Sequence, residues 1–101
     1  MADAYGQTYQ TCGASATTVL GAPGRIGDVL KRVVVVPSNV AVGTAQIKDG
    51  SAAAINIVVA GNLVDLAPIV VDFGDGIRCT GAGWSVILGA NMTAIAVGSW
   101  Q

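Results

Sequence analysis

The sequence predicts an all-β domain. It is either a single small antiparallel β-sandwich, jelly-roll-like, or a barrel, of about seven short strands behind an extended N-terminal arm. Three observations lead there. β-Branched residues come in short blocks, the longest being Val33-Val34-Val35-Val36, and branching at Cβ restricts χ1 more severely in a helix than on a pleated surface. Apolar residues alternate with polar ones instead of recurring at helical spacing. Gly, Asn, Asp and Pro punctuate the chain at roughly eight- to twelve-residue intervals, the rhythm of strands joined by turns.

With 101 residues the chain is one domain. Residues 1–15 mix small and polar side chains without a period and read as the arm, anchored by Tyr5 and Tyr9. Residues 16–101 read as the sandwich. The central strand is 29–37. Strict alternation puts Val29, Lys31, Val33 and Val35 on one face and Leu30, Arg32, Val34 and Val36 on the other. Its second half is apolar on both faces, so both must be covered. The inner cover is a second sheet; the outer one, over Val34 and Val36, is either a loop of the same chain or a neighbouring subunit. Pro37 ends the ladder because it has no N–H.

Residues 16–20 form a short strand. The glycines of Gly21-Ala22-Pro23-Gly24-Arg25-Ile26-Gly27 precede a strand and not a helix, which argues against a phosphate cradle. Ala45 and Ile47 share one face, and Ile55, Ile57 and Val59 share another. A three-residue Lys48-Asp49-Gly50 loop pairs Ala45 with Ala53 and places Gly50 at positive φ. The same logic over Gly74-Asp75-Gly76 pairs Phe73 with Ile77 and makes Gly76 left-handed. Asp49 and Asp75 are expected to bond their own turn backbone. Pro68 marks a strand start or an edge. Apolar parity changes across Gly81-Ala82-Gly83, as at a bulge or a crossing between sheets. Ile95 and Val97 share a face of the last strand, and Trp100 should be docked, since a ring that size is costly to leave in water.

The residue inventory excludes much chemistry. There is no His and no Glu, which removes the commonest general base and metal ligand together. Neither a Ser-His-Asp nor a Cys-His arrangement can be built, and Asp72 and Asp75 lack the oxygen ligands of a calcium loop. We therefore expect no catalytic residue, no metal and no cofactor. Five Lys and Arg are scattered, so nucleic acid is not an expected partner. No apolar run is long enough for a membrane helix, and the N-terminus lacks the pattern of a signal peptide. Cys12 and Cys79 read as small buried hydrophobes, with a disulfide left open. Hydrophobic residues make up 52% but charged ones only 11%, against about 25% in an ordinary soluble domain. So little charge on so small a chain implies surface that other subunits cover, hence a homo-oligomer.

Gly27-Asp28-Val29-Leu30-Lys31-Arg32-Val33-Val34-Val35-Val36-Pro37, then Ile47-Lys48-Asp49-Gly50-Ser51, resembles a group of small virion proteins of tailed bacteriophages. Gly83-Trp84-Ser85-Val86, Gly89-Ala90-Asn91 and Ile95-Ala96-Val97-Gly98 add to the likeness, which spans residues 25–98. The resemblance implies a β-sandwich capsid decoration (cement) protein. Such a protein would sit on the outer surface of the capsid, be assembled in the host cytoplasm, form trimers and bind the major capsid protein. Tyr5, Tyr9, Val34, Val36 and Trp100 are then the expected interface. A tail-tip, baseplate or fibre module that binds a host surface is the alternative.

Overall fold

The computed structural model describes residues 8–21, 27–50, 52–81 and 83–100. Among these lie ten strands and no helix. They are β1 (Thr8–Cys12), β2 (Ala16–Val19), β3 (Val29–Pro37), β4 (Ala41–Val42), β5 (Ala45–Asp49), β6 (Ile55–Val58), β7 (Gly61–Asn62), β8 (Ile69–Arg78), β9 (Trp84–Leu88) and β10 (Met92–Ser99). The pairing is nested: β1 with β10, β2 with β9, β3 with β8, β4 with β7 and β5 with β6, all antiparallel. The chain thus runs out and back as one long ribbon whose tip is β5–β6. Rolling the ribbon adds β10 against β3 and β9 against β5. The results are sheet A, ordered β1-β10-β3-β8, and sheet B, ordered β2-β9-β5-β6, with β4–β7 as a separate two-stranded flap. This is jelly-roll topology, in the sandwich form and not a closed barrel.

The described part of the expected arm runs along the sandwich edge. Thr8–Cys12 is an edge strand of sheet A in full register with β10, from Thr8 opposite Gly98 to Cys12 opposite Ala94. The first half of the expected arm, with Tyr5, lies outside the described residues.

Bulges overturn three expectations of register. On β3 the ladders to β8 and β10 both skip Lys31. Leu30 therefore shares the inner face with Val33, Val35 and Pro37, while Arg32, Val34 and Val36 face out. An extra residue reverses the parity, because alternation has a period of two. On β8 no hairpin forms at Gly74-Asp75-Gly76. Leu30 pairs with Ile77 and Arg32 with Asp72, so residues 73–76 bulge opposite Lys31 within one continuous strand. Gly76 is nevertheless left-handed, at φ 106°. A Cβ there would collide with the Val29 side chain. Third, Ile47 pairs directly with Ile55, which replaces the expected Ala45–Ala53 register. A bulge between Ala45 and Gln46 then brings in Val58, leaving Val59 exposed. Gly50 has the expected positive φ, 59°.

The core lies between the sheets. Leu30, Val33 and Val35 from β3 and Met92, Ala94 and Ala96 from β10 meet Ile47, Val86 and Leu88 of sheet B, all buried. Each Val, Leu or Ile so placed contributes roughly 1.5–3 kcal/mol. Trp84 is the one large ring fully inside among the described residues, at 4% exposure. Its Nε1 donates to the carbonyls of Asp28 and Ile77, both at 3.2 Å, so no polar cost offsets its apolar burial. Where parity changes before Trp84, the chain crosses from sheet A to sheet B.

The Asp49 carboxylate reaches from its turn to the loop that follows β8. Its Oδ2 accepts from Thr80 N at 2.8 Å and Thr80 Oγ1 at 3.3 Å, and its Oδ1 from Gly81 N at 2.9 Å. It clamps the end of β5 to the crossing loop. Asp72, Asp65 and Asn39 do make local turns, accepting from Gly74 N, Ala67 N and Ala41 N.

Cys12 and Cys79 are both free and buried. Burial pushes the Cys12 thiol up, partly offset by a hydrogen bond with the Thr18 side chain. Neither thiol should react with a disulfide reagent in the folded protein, and both should do so in urea. The sign of the pH effect follows. The unfolded thiol ionises first, so stability is intact below the ordinary thiol value of about 8.5 and falls as pH rises above it. Urea titrations at rising alkaline pH should show that loss diminished in Cys12→Val.

Candidate interaction surface

Among the described residues there is no cavity and no group of three His, Cys, Asp or Glu side chains that could hold a metal ion. They contain no helix long and apolar enough to cross a membrane. The outer faces of the two sheets differ sharply.

Sheet B turns a polar face outward. Across it run Thr17, Ser85, Gln46, Lys48 and Asn56, with Ile87 half-buried and Val19 at the edge. Gln46 Nε2 donates to Asn56 Oδ1 at 2.8 Å, a cross-strand pair that joins the two side chains.

Sheet A turns an apolar face outward. Register places Thr11, Ile95, Val34 and Val70 side by side on β1, β10, β3 and β8. The next row is Tyr9, Val97, Arg32 and Asp72, and on the other side Thr93 stands beside Val36. Tyr9 is 71% exposed and Val70 58%; Val36 and Ile95 are also exposed, and Val34 and Val97 half-buried. One Arg and one Asp are the only charges in these rows. The reason lies in β10, whose inward positions are Met92, Ala94, Ala96 and Gly98 and whose outward ones are Thr93, Ile95 and Val97. Small residues face in so that the sheets can close on Trp84 and the valines; larger apolar residues face out.

No protein-family model matches this chain, and no curated protein matches it.

The edges are poor places to add a strand. At β1 and β2, Gln10 bridges the sheets: its Nε2 donates to Val19 O at 2.8 Å and its Oε1 accepts from Gly21 N at 3.0 Å. At the far side, β8 follows Pro68 and is broken by its bulge, and β6 has only four residues. Proline, bulges and short strands are the ordinary means of blunting an edge. Both sheets thus end in blunted edges.

A second apolar surface surrounds the flap. Val40, Val59, Val64 and Leu66 are all exposed there, Val64 completely. Leu63 N donates to Val40 O at 2.7 Å, and Asn91 Nδ2 to Ala41 O at 2.7 Å, so the flap is tied to the body.

Of the residues expected at an interface, Tyr9, Val34 and Val36 lie together on the outer face of sheet A. Trp100 does not join them as an open surface group. It is half-buried, packed on the chain's own core beside Gly98. Val70, Ile95 and Val97 were missed: Val70 lies in the unbroken apolar run Ile69-Val70-Val71, and large apolar residues in alternation with alanine, as in β10, read as the inward set. The glycine continuing the alanine parity at Gly98 was the available clue.

Proposed function

We infer that the chain is a structural virion protein that binds and stabilises a tailed-phage capsid as a decoration protein. It docks through the outer face of sheet A onto the major capsid protein and further copies of itself, as a trimer. The carrying observation is the contrast between the two outer faces, one largely polar, the other a largely apolar sheet surface with two charges. The sequence resemblance points the same way. Jelly rolls serve as viral capsid, lectin and cupin domains, which widens the field without choosing within it.

Size bears on how the attachment works. Four strands about 4.8 Å apart and three rows about 7 Å apart give a patch of roughly 300–400 Å². That lies within the roughly 300–600 Å² of the largest patch on an ordinary monomer and is less than half of the roughly 800 Å² per partner in a lasting pair. One such contact is weak; several made at once by an oligomer multiply into durable attachment.

The test is position in the particle. Gradient separation of heads, tails and free protein, probed for this chain, should place it with filled heads. Finding it with neither heads nor tails would overturn the role. Val70→Lys with Ile95→Lys should keep the fold, since both positions are exposed. It should weaken head binding by at least about tenfold per substitution, the equivalent of about 1.4 kcal/mol each. Unchanged binding would remove sheet A from the interface.

The exposed apolar flap favours one alternative, a tail-tip, baseplate or fibre module that uses loops at one end to touch a host surface. Recovery with tails in the same gradient would select it.

A further inference from the structure

The chain contains two Asp-Gly pairs, Asp49-Gly50 and Asp75-Gly76. Such pairs are open to an internal reaction. The amide nitrogen of the glycine attacks the aspartate Cγ, water leaves, and a five-membered succinimide closes. Water then opens the ring at either carbonyl, restoring the normal linkage or leaving an isoaspartate in which the backbone runs through Cβ. The water lost is regained, nothing is oxidised or reduced, and no co-reactant is needed. Glycine favours the step because it has no Cβ to crowd the ring.

The fold puts the two pairs in opposite settings. At the first, both Asp49 oxygens are held by Thr80 and Gly81, and the attacking Gly50 N–H is itself donated to Gly83 O at 2.8 Å. Attack there requires these bonds to release together. At the second, the Asp75 side chain is exposed and makes no hydrogen bond or ion pair with the described residues. It also sits in the 73–76 bulge of an edge strand, where four residues already face one. An added backbone atom falls where the ladder is already interrupted. We propose that Asp75 is a site of spontaneous isoaspartate formation in the folded protein and that Asp49 is protected from it.

Each hydrogen bond to be broken is worth up to a factor of about ten in rate, so isoaspartate should form at Asp75 at least about tenfold faster than at Asp49. The test holds folded protein at mildly acidic pH, where a carboxyl can lose its hydroxyl as water, and at physiological temperature. Isoaspartyl peptides are then mapped by enzymatic methylation and fragmentation. A parallel sample in urea should show the two sites reacting at similar rates. Asp75→Glu, whose larger ring closes far more slowly, should abolish the folded-state signal. Equal rates in the folded protein, faster reaction at Asp49, or the same ratio folded and unfolded would overturn the proposal.

Discussion

Trp84→Ala should cost about 3–5 kcal/mol of unfolding free energy, a large share of the roughly 5–15 kcal/mol that holds a domain together. The ring is 4% exposed, lies at the start of β9, and fills the space where the chain passes from sheet A to sheet B. Its removal leaves a cavity that neighbours on both sheets cannot close without breaking register. It also leaves the carbonyls of Asp28 and Ile77 without the indole N–H. Trp84→Phe separates these contributions. It retains much of the volume and loses the donor, so about 1–2 kcal/mol is expected. Urea titration followed by circular dichroism measures both. If Trp84→Ala lowered stability by less than Trp84→Phe, the packing role given to the ring would be wrong.

Gly98→Ala should be nearly as damaging for a different reason. A methyl at Gly98 would run into the Val29 carbonyl oxygen and lie 2.5 Å from Trp100 Cζ3 and 2.9 Å from Cε3. The carbonyl cannot retreat, because Gly98 and Ser99 are in register with Leu30 and Val29 just beyond a bulge at Val97. The ring cannot retreat without giving up its contact with the core. Overpacking of this kind costs about 3 kcal/mol, which in a domain of this size lowers Tm by something over 10 °C, at roughly 4–8 °C per kcal/mol. Gly61 supplies the comparison, since nothing lies within 4 Å of a Cβ built there. Thermal melts should show Gly61→Ala within about 1 kcal/mol of the parent.

The strands themselves were largely legible. The valine run, the alternation over Trp84, Val86 and Leu88, and the turn at Gly50 locate β3, β9 and the end of β5, because local sterics decide them. The bulges were not legible. Lys31 is skipped only because β8 and β10 both skip it, and that is settled by partners more than 35 residues away. β1 was hidden for a related reason: Thr8–Cys12 carries little apolar period and gains its strand from the ladder β10 offers. The candidate surface was half visible. Val34 and Val36 stood out as surplus, but Ile95 and Val97 did not, since nothing local in β10 says that alanines go in and isoleucine out. Trp100 was correctly expected to dock, yet its partner is the chain's own core.

The outer face of sheet A is the point on which the functional account turns, and sedimentation of the purified chain at micromolar concentration addresses it most directly. The parent protein should run as an oligomer, and Val70→Lys with Ile95→Lys should run as a folded monomer with an unchanged circular dichroism spectrum. A parent that sediments as a single monomeric species, indistinguishable from the double variant, would contradict self-association through that face.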